Sequence, residues 1–341
     1  MHMKILCLCD YAARPEVVAP LKGLEKYGAD VVFMKDEEVQ TIDALFEYMF
    51  KMEQEGADAY PAYPPLLEAV KDADILVVHI TAVNTEVLAA AAKLKYVAVL
   101  RGGIENVQEA VCREKGIKIL NAPSRSAHAV ADFTVGIMIA EMKNIVRGHK
   151  GLTEGKWRKE YVNLKYIHNM RTRTVGIIGA GQIGRRVIDR LRGFGCKILV
   201  HDPFLSDREV SELGYTPVSL ETLLQESDFV SLHMRMSEKT HKFIAKRELD
   251  MMKKTAYFIN TSRGGLVDED DLVEALQNKT IGGAALDVFY VEPLSADSPL
   301  LKLDNVTLTP HVAGTSMDTF ADSVEIIMDE LTKLFEQGVL P

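Results

Sequence analysis

Of the 341 residues only four are cysteine, at positions 7, 9, 112 and 196. None of their spacings is the paired C-x-x-C of a zinc site or a redox dithiol. So sparse a set excludes a disulfide framework and the small stapled domains that need one. Cys7 and Cys9 share one face of the apolar run Lys4–Cys9, but no third Cys stands near them in the chain. They read as core packing, and no metal site is expected. Long apolar runs are also missing. None approaches the ~18 residues of a membrane span, and Asp10 interrupts the first too early for a secretory leader. Basic side chains are outnumbered, 40 to 49, for a net charge of −9. That field repels nucleic acid and anionic membranes. The expectation is a cytoplasmic protein with no nucleic-acid and no membrane partner.

What is present is ordinary globular composition, 47% hydrophobic and 26% charged, in a chain longer than one core usually holds. Two domains follow. In the first, Ile5–Leu8, Val31–Met34, Ile75–Ile80 and Tyr96–Leu100 are short buried strands with helical periodicity between them. Such alternation predicts a parallel α/β sheet. Lys35–Pro65 departs from it: a charged amphipathic helix, then the irregular Tyr60–Pro65, together a surface excursion. One long, largely apolar helix is predicted over 126–147, followed by a polar stretch, 151–171, that carries the only tryptophan, Trp157. A second alternation begins at Thr174, with strands near 174–178, 197–201, 228–232, 256–260 and 282–286. A last amphipathic helix spans Asp318–Gln337.

The first strand of that second alternation runs into Gly179-Ala-Gly181-Gln182-Ile183-Gly184 and then an amphipathic helix. A lone GxGxxG is weak, but strand, turn and helix in register are specific. Gly179 permits the tight turn, Gly181 lets the backbone approach a pyrophosphate, and Gly184 allows close helix–strand packing. Amides around Gln182 and Ile183 point at the phosphates from the positive end of the helix. Asp202 closes the next strand, where a carboxylate accepts hydrogen bonds from ribose hydroxyls and repels a 2′-phosphate. The cofactor expected is NAD rather than NADP.

Three further segments follow: Asn260-Thr-Ser-Arg263-Gly-Gly-Leu-Val-Asp, Ala284-Ala-Leu-Asp287-Val-Phe-Tyr-Val-Glu292-Pro and Thr309-Pro-His311-Val-Ala-Gly-Thr. Behind a GxGxxG unit, this order resembles the D-isomer-specific 2-hydroxyacid dehydrogenases, which include phosphoglycerate, glycerate and D-lactate dehydrogenases. The likeness covers most of the chain, in good detail from about Asp74 onward. It implies that His311 carries the proton, Glu292 partners the ring, and Arg263 anchors the substrate carboxylate. These roles suit the residue types. Imidazole titrates near neutrality, a carboxylate favours its charged form, and guanidinium offers a planar fork. The resemblance further sets Asp287 on the nicotinamide carboxamide and Thr261 and His233 along the cofactor cleft. In Leu100-Arg101-Gly102-Gly103-Ile-Glu-Asn-Val it implies a loop whose amides receive the substrate, with His79 at another substrate-facing strand end. Asn121-Ala-Pro123 resembles the family's hinge.

Departures from the pattern are Ser124 where glycine is common, Asp132 where glutamate is common, and His233-Met-Arg235-Met in place of His-x-Pro-Leu. Arg235 puts a cation near the adenosine side, and Arg101 suggests a second polar or anionic group on the substrate. The fold implied is α/β with two doubly wound parallel-sheet domains and a cleft between them. A Rossmann-type cofactor domain, 122–315, is inserted into a flavodoxin-like substrate domain, 1–121 plus 316–341. By family analogy a homodimer is expected, and no appended regulatory domain is expected. Two other readings stay open: a formate dehydrogenase-like enzyme, which needs no proton carrier, and an NAD-sensing, corepressor-like binding protein.

Overall fold

The computed structural model describes residues 3–340, the side chains of residues 46, 53 and 54 excepted. The chain divides into two compact units, Met1–Arg125 with Ser316–Pro341, and Ser126–Thr315.

The first unit is built on β1 (Met3–Cys9), β2 (Ala29–Lys35), β3 (Ile75–Val78), β4 (Tyr96–Val99) and β5 (Lys118–Asn121), in the order β2-β1-β3-β4-β5. Every pairing is parallel, and the order is the flavodoxin-like one. Alternation along β1 explains why both faces are covered. Ile5, Cys7 and Cys9 point into one cluster, which Leu21, Leu24 and, from the helix Asp318–Glu336, Val324, Ile327, Leu331 and Phe335 complete. Leu6 and Leu8 point the other way, onto Leu66, Val87 and Leu88. Parallel sheets need such double cover.

The segment after β2 corrects the expectation of a surface excursion. The helix Ile42–Glu55 turns Leu45, Tyr48 and Met52 onto Ala12, Val39 and Ile80, forming a small core of its own. Spacings of three and four residues place those side chains on one helical face. Tyr60 stacks on Tyr48 with centroids 3.8 Å apart.

The second unit carries β6 (Thr174–Ile178), β7 (Lys197–His201), β8 (Phe229–Leu232), β9 (Tyr257–Asn260), β10 (Gly283–Leu286) and β11 (Val306–Leu308). Their order is β11-β10-β9-β8-β6-β7, all parallel. A single bridge from Val200 to Pro217 stands beyond β7, where a Rossmann sheet has its third strand. Proline cannot donate to a ladder, which keeps that edge to one bridge. In both units the chain reverses its direction across the sheet beside the first strand, between β1 and β3 and between β6 and β8.

The single helix expected over 126–147 is two helices, Ala127–Met142 and Ile145–Thr153. Asn144 breaks them in the left-handed region, at φ 57°, with its side chain buried against Asn163 and Arg147. Arg147 reaches back to Glu141, its Nη2 donating to both oxygens at 2.8 Å, and Thr307 of β11 donates to the same carboxylate. Among the described residues, no helix is long and apolar enough to cross a membrane.

Candidate active site

The glycine turn after β6 has the shape a dinucleotide requires. Gly179 adopts φ 101°, and a Cβ there would press to 2.6 Å from the His233 carbonyl oxygen. A Cβ on Gly184 would run into the Gly179 carbonyl. Outside Gly181 there is open space within 4 Å, which is where a pyrophosphate approaches a helix N-terminus. The helix Gln182–Arg192 begins there, so the amides of Gln182 and Ile183 belong to its unbonded first turn. The residues present therefore fit a dinucleotide.

Asp202 does more than the sequence suggested. One oxygen accepts the Ala180 N–H at 2.7 Å, tying the turn to the end of β7. The other takes Phe204 and Leu205 N–H at 2.8 and 3.2 Å. A carboxylate has about four lone-pair sites, so one remains for a ribose hydroxyl. Arg235 is exposed just past the end of β8.

His233 is buried, and burial pulls its ring down to about 3, so the ring is neutral. Its Nε2 pairs with Ser231 at 2.9 Å, while Nδ1 finds no partner among the described residues. Thr261 is also buried. Thr134 spends its own proton on the Val130 carbonyl, so Thr261 donates to Thr134 at 2.7 Å.

Three loop ends meet at the candidate catalytic group. His311 Nδ1 lies 2.6 Å from Glu292 Oε2, and the other oxygen of Glu292 accepts the Phe289 N–H at 2.9 Å. Both side chains are substantially exposed, 46% and 36%. His311 itself sits at φ 53°, a conformation that costs a non-glycine residue ~1–2 kcal/mol. Asp287 holds it there. That carboxylate is wholly buried and accepts from Thr309 Oγ1 (2.6 Å), Val312 N (3.0 Å) and Ala313 N (2.8 Å). It stands behind the turn, three of its acceptor sites taken by protein donors.

Arg263 follows β9 on a turn closed by Asn260, whose side chain accepts the Ser262 N–H and donates to the Arg263 carbonyl. One guanidinium N–H folds onto the Ser262 carbonyl at 2.6 Å, and the rest of this exposed group has no acceptor among the described residues. A Cβ on Gly264 would overlap the Phe289 carbonyl, so the Arg263 turn lies directly on the loop that leads to Glu292.

In the first unit, His79 follows β3 and is 1% exposed, its Nδ1 3.0 Å from Asp10. Arg101 is buried beyond β4. Gly102 accepts Asn121 Nδ2 through its carbonyl, and Gly103 lies under the Glu105 carboxylate. Asp10, Arg125, Thr309 and Gly264 were not singled out from sequence. Asp10 had a signal, since it directly follows β1 at the carboxyl edge of the sheet. Thr309 and Gly264 sat inside quoted motifs with no role attached.

The family model for the D-isomer specific 2-hydroxyacid dehydrogenase, NAD binding domain, matches residues 135–313. A glyoxylate reductase of Korarchaeum cryptofilum is 38% identical over 297 residues, 86% of this chain and 89% of that one. A hydroxypyruvate reductase of Thermotoga maritima is 36% identical, covering 79% and 87%. Among solved structures, a D-lactate dehydrogenase from a Sporolactobacillus species superposes with a TM-score of 0.73 at 26% identity, over 98% and 97% of the two chains. The chain belongs to the D-isomer specific 2-hydroxyacid dehydrogenases, oxidoreductases that carry an NAD-binding domain.

Proposed function

We propose that this chain transfers a hydride between NAD(H) and a small D-2-hydroxy acid or its 2-oxo acid, with His311 as the acid–base group. The observation that carries the reading is the His311–Glu292 pair at 2.6 Å, on a strained turn that Asp287 fixes. When bound, NAD supplies the hydride acceptor and NADH the donor. Glu292 holds Nδ1, so the ring's Nε2 is the nitrogen that takes the hydroxyl proton in oxidation and returns it in reduction. Glu292 also stabilises the charge the ring gains when protonated. Arg263, with most of its donors uncommitted, grips the carboxylate and polarises the 2-oxo group.

Gly179, Gly181, Gln182, Ile183 and Gly184 cradle the pyrophosphate, and Asp202 takes the ribose, favouring NAD over NADP. Thr261 and His233 shape the nicotinamide end, and Asp287 acts there through the turn it holds. His79, Arg101, Gly102 and Gly103 recognise the acid. Residues 1–121 with 316–341 then serve the substrate and 122–315 the cofactor. Exposed Ile145, Val146, Leu152, Trp157, Val162 and Leu164 support a homodimer, since an apolar patch of this kind is a docking surface for a second copy. The test is NADH consumption with a panel of 2-oxo acids. Turnover of at least one is expected. Tight NADH binding with no turnover of any would make the protein a sensor.

A further inference from the structure

The two sheets share a topology, and each gathers polar groups at its reversal point, where open α/β sheets bind ligands beyond the carboxyl ends of their strands. In the second unit that point is the glycine turn. In the first it is a charged cluster. Asp10 directly follows β1, His79 follows β3, Arg101 stands two residues past β4, and Arg125 lies beyond β5.

The cluster is a chain with one loose end. Asp10 has three protein donors: one oxygen accepts Ala12 and Ala13 N–H, both at 2.8 Å, and the other meets His79 Nδ1. Burial draws the His79 ring down despite Asp10, while the carboxyl of Asp10 itself, which burial alone would raise, is held low by His79 and those amides. The pair is thus neutral imidazole on ionised carboxylate, with the ring proton on Nδ1 and a lone pair on Nε2. Arg125 Nη1 lies 3.4 Å from that Nε2 and donates to the Leu100 carbonyl at 2.9 Å. Phe320 supports both partners, edge-on to His79 at 5.3 Å and under the Arg125 guanidinium at 5.8 Å. One corner of Arg125 is pinned. Its Nε and Nη2 have no acceptor among the described residues, and the side chain is only half-buried. Burial, then the field of Arg101, pulls Arg125 to about 10, so it is a charged group beside a second cation. Its backbone follows Ser124 at φ 67°, the place where the departure from glycine was noted.

We propose that this cluster is an oxyanion subsite, Arg125 presenting its Nε–Nη2 edge and Arg101 supplying field. The substrate class is then a 2-oxo or 2-hydroxy acid with a second anionic group, a carboxylate or a phosphate. A planar fork held on one side and open on the other matches two oxygens of such a group. The assignment rests on the dehydrogenase reading above but concerns residues of the first unit alone.

The experiment compares kcat/KM for matched acids at fixed ionic strength: 2-oxobutanoate against oxaloacetate, and hydroxypyruvate against its 3-phosphate. It uses the full chain, Arg125→Met and Arg125→Lys. The parent should prefer the dianion of one pair by about ten- to a hundredfold, the pair naming carboxylate or phosphate. Arg125→Met should erase that preference, and Arg125→Lys should keep part of it. A parent ratio of one or less in both pairs, or a ratio unmoved by Arg125→Met, overturns the subsite and leaves the dehydrogenase intact. Should no acid be reduced, thermal shifts with malonate and with inorganic phosphate decide. Stabilisation lost in Arg125→Met supports the subsite, and identical shifts in parent and variant overturn it. NADH binding by each variant checks that it is folded.

Discussion

Asp287 and His311 are coupled through the backbone: the carboxylate of the first accepts the N–H groups of Val312 and Ala313, the two residues that follow the second. That bond pair, rather than the Glu292 contact alone, decides where the imidazole stands. Asp287→Asn keeps the shape but turns an NH2 toward one of these donors. Loss of a charge-assisted hydrogen bond costs ~1.5–3 kcal/mol of stability. Turnover is expected to fall about tenfold or more while NADH affinity changes little. Fluorescence titration of NADH beside steady-state kinetics checks this. A collapse of NADH affinity at unchanged kcat would place Asp287 on the nicotinamide instead.

His311→Ala removes the proton carrier without touching the glycine turn. Turnover should drop ~10²–10⁴-fold with NADH binding retained. Near-normal kcat in a purified, folded variant refutes the role.

Asp202→Ala should narrow the preference for NADH over NADPH and also destabilise the second unit, because Ala180, Phe204 and Leu205 N–H lose their acceptor. Efficiency ratios with both cofactors and the unfolding midpoint report the two effects separately. Equal use of the cofactors by the parent means that Arg235 or another cation has overruled the carboxylate.

Glu141→Ala strands Arg147, which is 9% exposed, without its carboxylate. Breaking one side of a buried pair typically costs ~3–5 kcal/mol. Urea unfolding of the single variant and of Glu141→Ala with Arg147→Met should show the double variant less damaged than the single one.

His233 sets an acid limit. Its folded pKa near 3 lies far below the usual value of about 6.5. Between those values the unfolded chain binds a proton that the native state refuses. Stability therefore falls as pH falls, by up to ~1.4 kcal/mol per pH unit. Unfolding free energies measured from pH 6 to pH 4 should show a steeper loss in the parent than in His233→Gln. Parallel curves would mean the ring is protonated in the native state.

Strand and turn chemistry made most of this fold legible. Buried runs such as Ile75–Val78 and Phe229–Leu232 are apolar from end to end, as parallel strands covered on both faces must be. The edge strands β5 and β11 escaped notice because most of their positions are partly exposed, so neither is a continuous buried apolar run. The break at Asn144 was hidden because its partners are remote in sequence: Asn163 meets its side chain, and Thr307 and the Asp304 carbonyl hold the Glu141–Arg147 pair that spans it. The glycine turn, Arg263, Glu292 and His311 were legible as motifs. Arg125 was not, since its partners Asp10 and His79 are remote in sequence and meet only across the sheet.

The helix Asp318–Glu336 contributes Val324, Ile327, Leu331 and Phe335 to the core around Ile5 and Cys7. On the ribosome, β1 to β5 therefore emerge with one face of their sheet only partly covered, by Leu21 and Leu24, and the whole of Ser126–Thr315 is synthesised before the last covering helix arrives. The inserted unit has its full complement of strands first and can fold as a nascent chain, while the unit that precedes it in sequence must wait. A part-exposed parallel sheet in that interval is a natural client for a chaperone, and the arrival of the helix Asp318–Glu336 is what releases it.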